Sequence, residues 1–233
     1  MKLLILAGGF GTRLNDKIDG LPKALAPIGR EPFLSLQIKN WKAQGLKNFT
    51  FLLHHKADVI IDFLKSHKDE ILNDCQVDWL IEPKPLDTGG AIAHAVYKLN
   101  LKSNFLVTNA DTWVSGGFQQ LMSSSSPTIA VVEHSNSSRF GQVIFDNRNQ
   151  ILSFKEKNIS GETCWINAGL YHLSSNLFEG RCAETFSLER DLFLKLVHEK
   201  TLMAFKLNVD FVDIGVPNDY SRFCLWAKKM NLI

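Results

Sequence analysis

Leu4-Ile5-Leu6-Ala7-Gly8-Gly9-Phe10-Gly11-Thr12-Arg13-Leu14, followed by Leu21-Pro22-Lys23, is the stretch from which the fold of this chain is read. An apolar strand runs into a turn with three glycines in four positions, where backbone N–H groups can close around oxyanions that a β-carbon would keep out. A glycine cluster alone is most often a flexible turn. A strand before it and two cations after it, Arg13 and Lys23, make it a phosphate clamp built from Leu6, Ala7, Gly8, Gly9, Gly11, Thr12, Arg13 and Lys23. A dinucleotide fingerprint requires a third glycine where, counted from Gly9, Leu14 stands, which weakens that reading. A P-loop requires Ser or Thr after its lysine, whereas Lys23 lies between Pro22 and Ala24, and that reading fails.

With 233 residues, 45% of them apolar, the chain can bury a sizeable core, and one α/β domain over 1–233 is expected. The formal charge is only +2, without a basic run interleaved with aromatics, so no footprint for nucleic acid is evident. The apolar run after Met1 is too short to span a membrane and lacks a signal-peptide cleavage pattern, so a cytoplasmic location is the default expectation. Cys75, Cys164, Cys182 and Cys224 form no CxxC pair and read as reduced thiols.

Compact branched or aromatic runs at Phe49–Leu53, Val77–Ile81, Phe105–Thr108 and Thr128–Val132 have the character of buried strands. Helices are expected from Pro32 to Gln44 with Gly45 as the stop, from a cap at Asp58, and from Gly90 to Leu99. Such alternation implies βαβ crossovers and a mainly parallel sheet. Gln142–Phe145 and Ile151–Lys155, flanking Asp146-Asn147-Arg148-Asn149, read as a hairpin that changes the pattern to antiparallel. The run Tyr220–Met230 reads as a helix closing onto its own core, with Trp226 as the alternative anchor for a partner subunit.

Ligands of open α/β sheets sit outside the carboxyl ends of the strands. Asp111 and Asp213 each end an apolar strand, Val107-Thr108-Asn109-Ala110-Asp111 and Phe211-Val212-Asp213, and two such carboxylates suit one divalent cation. Glu82 follows the strand Val77–Ile81; a carboxylate there can accept from both N1–H and the 2-amino group of guanine, or else be an exposed strand-end residue.

The turn Gly-Gly-x-Gly-Thr-Arg-Leu followed by Pro-Lys resembles the signature of the nucleotidyltransferases that join a nucleoside triphosphate to a sugar 1-phosphate. The order of the other motifs extends that resemblance over nearly the whole chain. It implies a Rossmann-like, mainly parallel sheet of the nucleotide-diphospho-sugar transferase type with an antiparallel sugar-binding portion. It also implies Mg2+ on Asp111 and Asp213, the second ahead of Gly215-Val216-Pro217-Asn218-Asp219-Tyr220. By the same resemblance Arg13, Lys23 and Asp111 are catalytic, and Glu82 with Gly89 of the turn Leu86–Gly90 meets the base. Glu156 and Asn167 would bind sugar hydroxyls, Lys157 the sugar phosphate, and Gly141 of Arg139-Phe140-Gly141 would lie beside the sugar.

Leu21-Pro22-Lys23, Pro32-Phe33-Leu34 and Asp213-Ile214-Gly215 resemble, within that family, the short guanylyltransferases of D-glycero-α-D-manno-heptose 1-phosphate. GTP and that sugar 1-phosphate are therefore the expected substrates, with UTP, CTP or dTTP and another sugar phosphate as alternatives. A sugar-nucleotide-binding regulator without turnover is a further alternative, and oligomeric state stays open. The chain departs from the family at Ala24, where proline is usual, and at Asp87 and Ala110, where glycine is usual.

Overall fold

The computed structural model describes residues 1–11, 13–14, 17–135, 140–155 and 163–233. In chain order the elements are β1 (Leu3–Leu6), a 3-10 turn (Lys23–Leu25), β2 (Pro27–Ile28), β3 (Glu31–Pro32), α1 (Phe33–Ala43), β4 (Asn48–Leu53), α2 (Ala57–Ser66) and β5 (Gln76–Ile81). Then follow α3 (Asp87–Lys98), β6 (Asn104–Asn109), β7 (Thr112–Val114), α4 (Phe118–Met122), β8 (Thr128–His134), β9 (Gln142–Phe145) and β10 (Ile151–Lys155). The last are β11 (Cys164–Ser174), a 3-10 turn (Ser175–Phe178), a π-helical turn (Leu188–Phe193), α5 (Leu194–His198), β12 (Met203–Leu207), β13 (Phe211–Asp213) and α6 (Pro217–Lys229). The chain divides into two compact units: Lys2–Lys84 with Thr108–Ser115 and Asp210–Ile233, and Pro85–Val107 with Gly116–Val209 and Met1.

The first unit carries the parallel strands around the glycine turn, with the short antiparallel pairs β2–β3 and β7–β13 beside them. β1 pairs β4 in the register Leu3↔Phe49 to Leu6↔Leu52, and β4 pairs β5 from Asn48↔Gln76 to Leu53↔Ile81. Leu3, Leu4 and Ile5 are fully buried, as a continuous apolar run in a parallel sheet must be. β5 differs from the buried strand expected for Val77–Ile81: it is an edge strand, its residues are half-buried or exposed, and Ile81 is 54% exposed. An apolar run reads the same whether it has one neighbour or two, so only pairing distinguishes them.

α1 starts after Pro32 and stops at Gln44 and Gly45, whose φ of +81° ends the helix as the sequence implies. Its polar side chains hold the segment after β6: Gln37 Nε2 donates to Thr112 O at 2.8 Å and Asn40 Nδ2 to Val114 O at 2.8 Å. The cap of α2 is Lys56, in the left-handed region at φ +52°, and not Asp58, which sits in the first turn where its carboxylate meets the helix dipole. α6 opens with Pro217 and buries Phe223 and Ala227 completely. Phe223 lies 5.0 Å from Phe33 and Trp226 lies 5.7 Å from Trp113, ring to ring, so Trp226 packs on its own unit.

The second unit is mostly antiparallel. β8 pairs β11 antiparallel and β12 parallel, while β9 pairs both β10 and β11 antiparallel. The β9–β10 hairpin turns on Asp146, whose Oδ1 accepts the N–H groups of Arg148 and Gln150 at 2.9 Å each. β11 is irregular against β8 between Asn167 and Tyr171, where Gly169 has φ +66°. α3 begins at Asp87 rather than Gly90, because both glycines are helical residues pressed against a neighbouring segment. A β-carbon on Gly89 would lie 2.2 Å from the Phe186 ring, and one on Gly90 2.4 Å from Glu184 O.

Mixed α/β architecture, parallel around the glycine turn and antiparallel around the hairpin, is thus as the alternation implies. All four cysteines are free thiols. Among the described residues no helix is long and apolar enough to cross a membrane.

Candidate active site

The glycine turn leaves β1 at its carboxyl end. Ala7 N–H donates to Leu52 O at 2.9 Å, and Leu6 O accepts Ala110 N–H at 3.0 Å, so the turn and the end of β6 leave the sheet side by side. Gly9 faces open space, with nothing among the described residues within 4 Å of a β-carbon built on it, and Gly11 has φ +68°. Leu14 N–H closes the turn on Gly11 O at 3.1 Å, and the Leu14 side chain is fully buried among Ile18, Ile28, Phe33, Trp113 and Ile214. Burying a leucine contributes about 1.5–3 kcal/mol, which is why this position carries an anchor and not a third glycine. Arg13 is exposed beside it, and Thr12 lies outside the described residues.

Glu82 is the first residue after β5. Its N–H donates to Leu53 O at 2.8 Å, and its side chain is only 9% exposed. The carboxylate turns back to the glycine turn: Oε1 lies 2.9 Å from where a β-carbon on Gly8 would sit, with His54 N and Cβ at 3.2 Å. Glu82 is therefore not the exposed strand-end residue that was the alternative. His54 and His55 also meet Phe10, with ring centroids 6.0 and 5.2 Å away. This aromatic contact was missed in the sequence, where the residue between two glycines carries no pattern of its own.

Lys23, Asp111 and Asp213 form a second cluster. Lys23 Nζ pairs with Asp111 Oδ2 at 3.1 Å, both side chains being largely shielded. β13 runs antiparallel to β7 with Asp213 opposite Thr112, and Ile214 N–H donates to Asp111 O at 3.0 Å. Asp213 Oδ1 accepts Gly215 N–H at 2.5 Å. A β-carbon on Gly215 would come 2.6 Å from Asp213 Oδ1 and 3.5 Å from Lys23 Nζ, so Gly215 leaves room for these two charged groups. Among the described residues no cluster of three or more His, Cys, Asp or Glu could hold a metal. Two strand-end carboxylates are hard oxygen donors that fit Mg2+, which is bound by one or two carboxylates with substrate phosphates and water filling the other positions.

In the second unit the predicted sugar residue Asn167 sits at the β11 bulge. Its Oδ1 accepts Gly169 N–H at 2.9 Å and its Nδ2 donates to Tyr171 Oη at 3.0 Å. Tyr171 in turn donates to Glu189 Oε1 at 3.3 Å; burial, then the Glu189 charge, holds its phenol well above the usual range. Gly141 ends next to the hairpin, and a β-carbon there would be 3.2 Å from Lys155 O. Gly89 N–H is taken by Phe186 O at 3.0 Å. Arg139, Glu156 and Lys157 lie outside the described residues. Neither Tyr171 nor Glu189 was singled out from the sequence; Glu189, polar beside Leu188, Leu192 and Phe193, is the one signal available there.

Asp87, where the resemblance leads one to expect glycine, has φ +60°, the left-handed conformation that glycine adopts freely. Its own carboxylate compensates, accepting Thr88 N–H at 2.7 Å and Arg190 Nη2 at 2.8 Å.

The family model described as nucleotidyl transferase matches residues 2–226. The chain is 34% identical to a D-glycero-alpha-D-manno-heptose 1-phosphate guanylyltransferase of Campylobacter jejuni over 97% of this chain and 99% of that one. It is 30% identical to the protein of the same name from Aneurinibacillus thermoaerophilus, over 95% and 96%. Among solved structures, HddC from Yersinia pseudotuberculosis complexed with GMP-PN superposes with a TM-score of 0.83 at 33% identity, covering 97% of this chain and 98% of that one.

Proposed function

The chain belongs to the nucleotidyl transferase family, and from that membership we propose that it joins GTP to D-glycero-α-D-manno-heptose 1-phosphate, giving the GDP-sugar and pyrophosphate. The observation that carries the choice of GTP is the Glu82 carboxylate shielded against Gly8 at the carboxyl end of β5. A carboxylate accepts only, so it matches the paired N1–H and 2-amino donors of guanine, a bidentate match that uracil and thymine, with a single N3–H donor, cannot make. Full-length similarity to two heptose 1-phosphate guanylyltransferases supports the choice of sugar.

An oxygen of the sugar 1-phosphate attacks the α-phosphorus of GTP in line; the bond from that phosphorus to the bridging oxygen breaks, and pyrophosphate leaves with the electron pair. The attacking monoester is already an anion at neutral pH, so no general base or covalent nucleophile is needed, and catalysis consists of positioning and charge neutralisation. The N–H groups of the turn Gly8–Gly11 cradle the triphosphate, Arg13 holds its β- and γ-phosphates and Lys23 its α-phosphate. Asp111 and Asp213 hold Mg2+, which neutralises charge on the phosphate oxygens. Asn167 and Glu156 bind the sugar hydroxyls, Lys157 meets the incoming phosphate, and Gly141 lies beside the sugar, whereas Gly89, packed against Phe186, is left out of the base subsite. Charged substrates of this kind do not cross a bilayer unaided, and we place the reaction in the cytoplasm.

Pyrophosphate release with the four nucleoside triphosphates against a panel of hexose and heptose 1-phosphates tests this directly. GTP with the heptose phosphate is expected to give the highest kcat/KM. A higher value with another pair would overturn the substrate assignment, and silence with every pair would overturn the activity.

A further inference from the structure

The Glu189 carboxylate collects three hydroxyl groups from three different segments. Tyr171 Oη of β11 donates to Oε1 at 3.3 Å, Thr88 Oγ1 of α3 to Oε2 at 2.9 Å, and Ser187 Oγ, which caps the π-helical turn, to Oε2 at 3.1 Å. An ionised carboxylate is an acceptor only, so each hydroxyl points its one hydrogen at Glu189 and offers only lone pairs elsewhere. Thr88 Oγ1 accordingly accepts Leu188 N–H at 2.8 Å, and Tyr171 Oη accepts Asn167 Nδ2 at 3.0 Å. Gly169 N–H holds Asn167 Oδ1 at 2.9 Å. The Asn167 amide is thereby locked in one of its two flips, with one Nδ2 hydrogen and one Oδ1 lone pair not taken up by these bonds among the described residues.

We propose that Glu189 is a positioning residue for the sugar subsite: by directing the Tyr171 hydroxyl it sets which edge of the Asn167 amide meets the ligand, and hence which arrangement of hydroxyls on the sugar 1-phosphate is accepted. This rests on the functional reading above, in which Asn167 contacts the sugar. Glu189 touches no substrate; it acts through Tyr171. The same carboxylate anchors Thr88, and the next residue, Arg190, pairs with Asp87 at 2.8 Å, so the first turn of α3 and the bulge of β11 take their geometry from one short segment. π-Helical turns such as Leu188–Phe193 recur at functional sites.

Glu189→Gln tests the idea because an amide can donate to Tyr171 Oη, releasing its hydrogen to turn towards Asn167 and reversing the relay. Steady-state kinetics with GTP and a set of epimeric sugar 1-phosphates should show KM for the preferred sugar phosphate raised by up to about tenfold, as loss of one hydrogen bond between the neutral Asn167 amide and a sugar hydroxyl implies. KM for GTP and kcat should stay within about threefold, a split expected when only ground-state sugar binding is lost, and discrimination between epimers should narrow. Tyr171→Phe breaks the same relay at its middle and should give the same KM split, and the double variant should be no worse than either single one. Parallel loss of kcat and of affinity for both substrates, with a lowered Tm, in both variants would show a merely structural role and overturn the proposal. An active parent protein with an unmoved sugar KM in both variants would also overturn it alone. Silence of the parent with every substrate pair would overturn the functional reading and this inference with it.

Discussion

The Glu82 carboxylate fills the space that a side chain on Gly8 would need: Oε1 stands 2.9 Å from the position of the absent β-carbon. The glycine turn is thus shaped on one side by Gly9, open to ligand, and on the other by Gly8, closed against an acid at the end of β5. Adjacent glycines, alike in the sequence, have different physical reasons to be there.

Gly8→Ala should displace Glu82 and press on His54, destabilising the protein by about 1–3 kcal/mol as overpacking does. Gly9→Ala, with nothing among the described residues within 4 Å, should change stability by no more than about 0.5 kcal/mol yet weaken triphosphate binding. Urea unfolding alongside GTP titration separates the two. Equal stability of both variants would contradict the packing assigned to Gly8.

Glu82→Gln replaces an acceptor with a group that also donates, facing the donors of guanine. Use of GTP should fall by about 1–3 kcal/mol in transition-state terms, read from kcat/KM. Pyrimidine triphosphates should lose much less. Equal small losses with all four would remove Glu82 from base selection.

Asp111→Asn and Asp213→Asn should each lower Mg2+-dependent kcat at least about a hundredfold, on the scale of losing one electrostatic stabiliser of the transition state. Near-parental turnover in either would remove that residue from the essential set. Asp111→Asn also leaves Lys23 without its 3.1 Å partner, so its Mg2+ response should be measured together with its melting temperature.

At position 87 the strained φ of +60° and the carboxylate contacts oppose each other. Asp87→Ala keeps the strain and loses the contacts, and should cost about 1–2 kcal/mol. Asp87→Gly loses both and should stay within about 1 kcal/mol of the parent. Because the carboxylate is already engaged by Thr88 and Arg190, the order of preference among triphosphates should be unchanged in both; a changed order would place Asp87 at the base.

His172, 2% exposed on β11, has its pKa pushed below the ordinary 6.5 by burial. The folded state holds the neutral ring, so as pH falls below 6.5 the unfolded chain takes the proton first and stability declines towards the depressed folded value. Above 6.5 the contribution is complete. Denaturation between pH 5 and 8 should show His172→Gln with a flatter acid limb; an unchanged slope would rule this histidine out as its source.

The strand, the glycine turn, the two strand-end aspartates and the Asp146 hairpin are legible in the sequence, because alternation, turn chemistry and strand termination are written within a few residues of chain. The resemblance carried the reaction class for the same reason, since its motifs are local. Tertiary structure alone decided that β5 is an edge strand, that Glu82 folds back on Gly8, that Gly89 serves Phe186, and that Asp87 keeps a glycine conformation by binding Thr88 and Arg190. The Glu189 relay, joining residues 88, 171 and 187, was equally out of reach. Each of these depends on which distant segments meet, and a side chain's partner across the core leaves no period or spacing in its own neighbourhood.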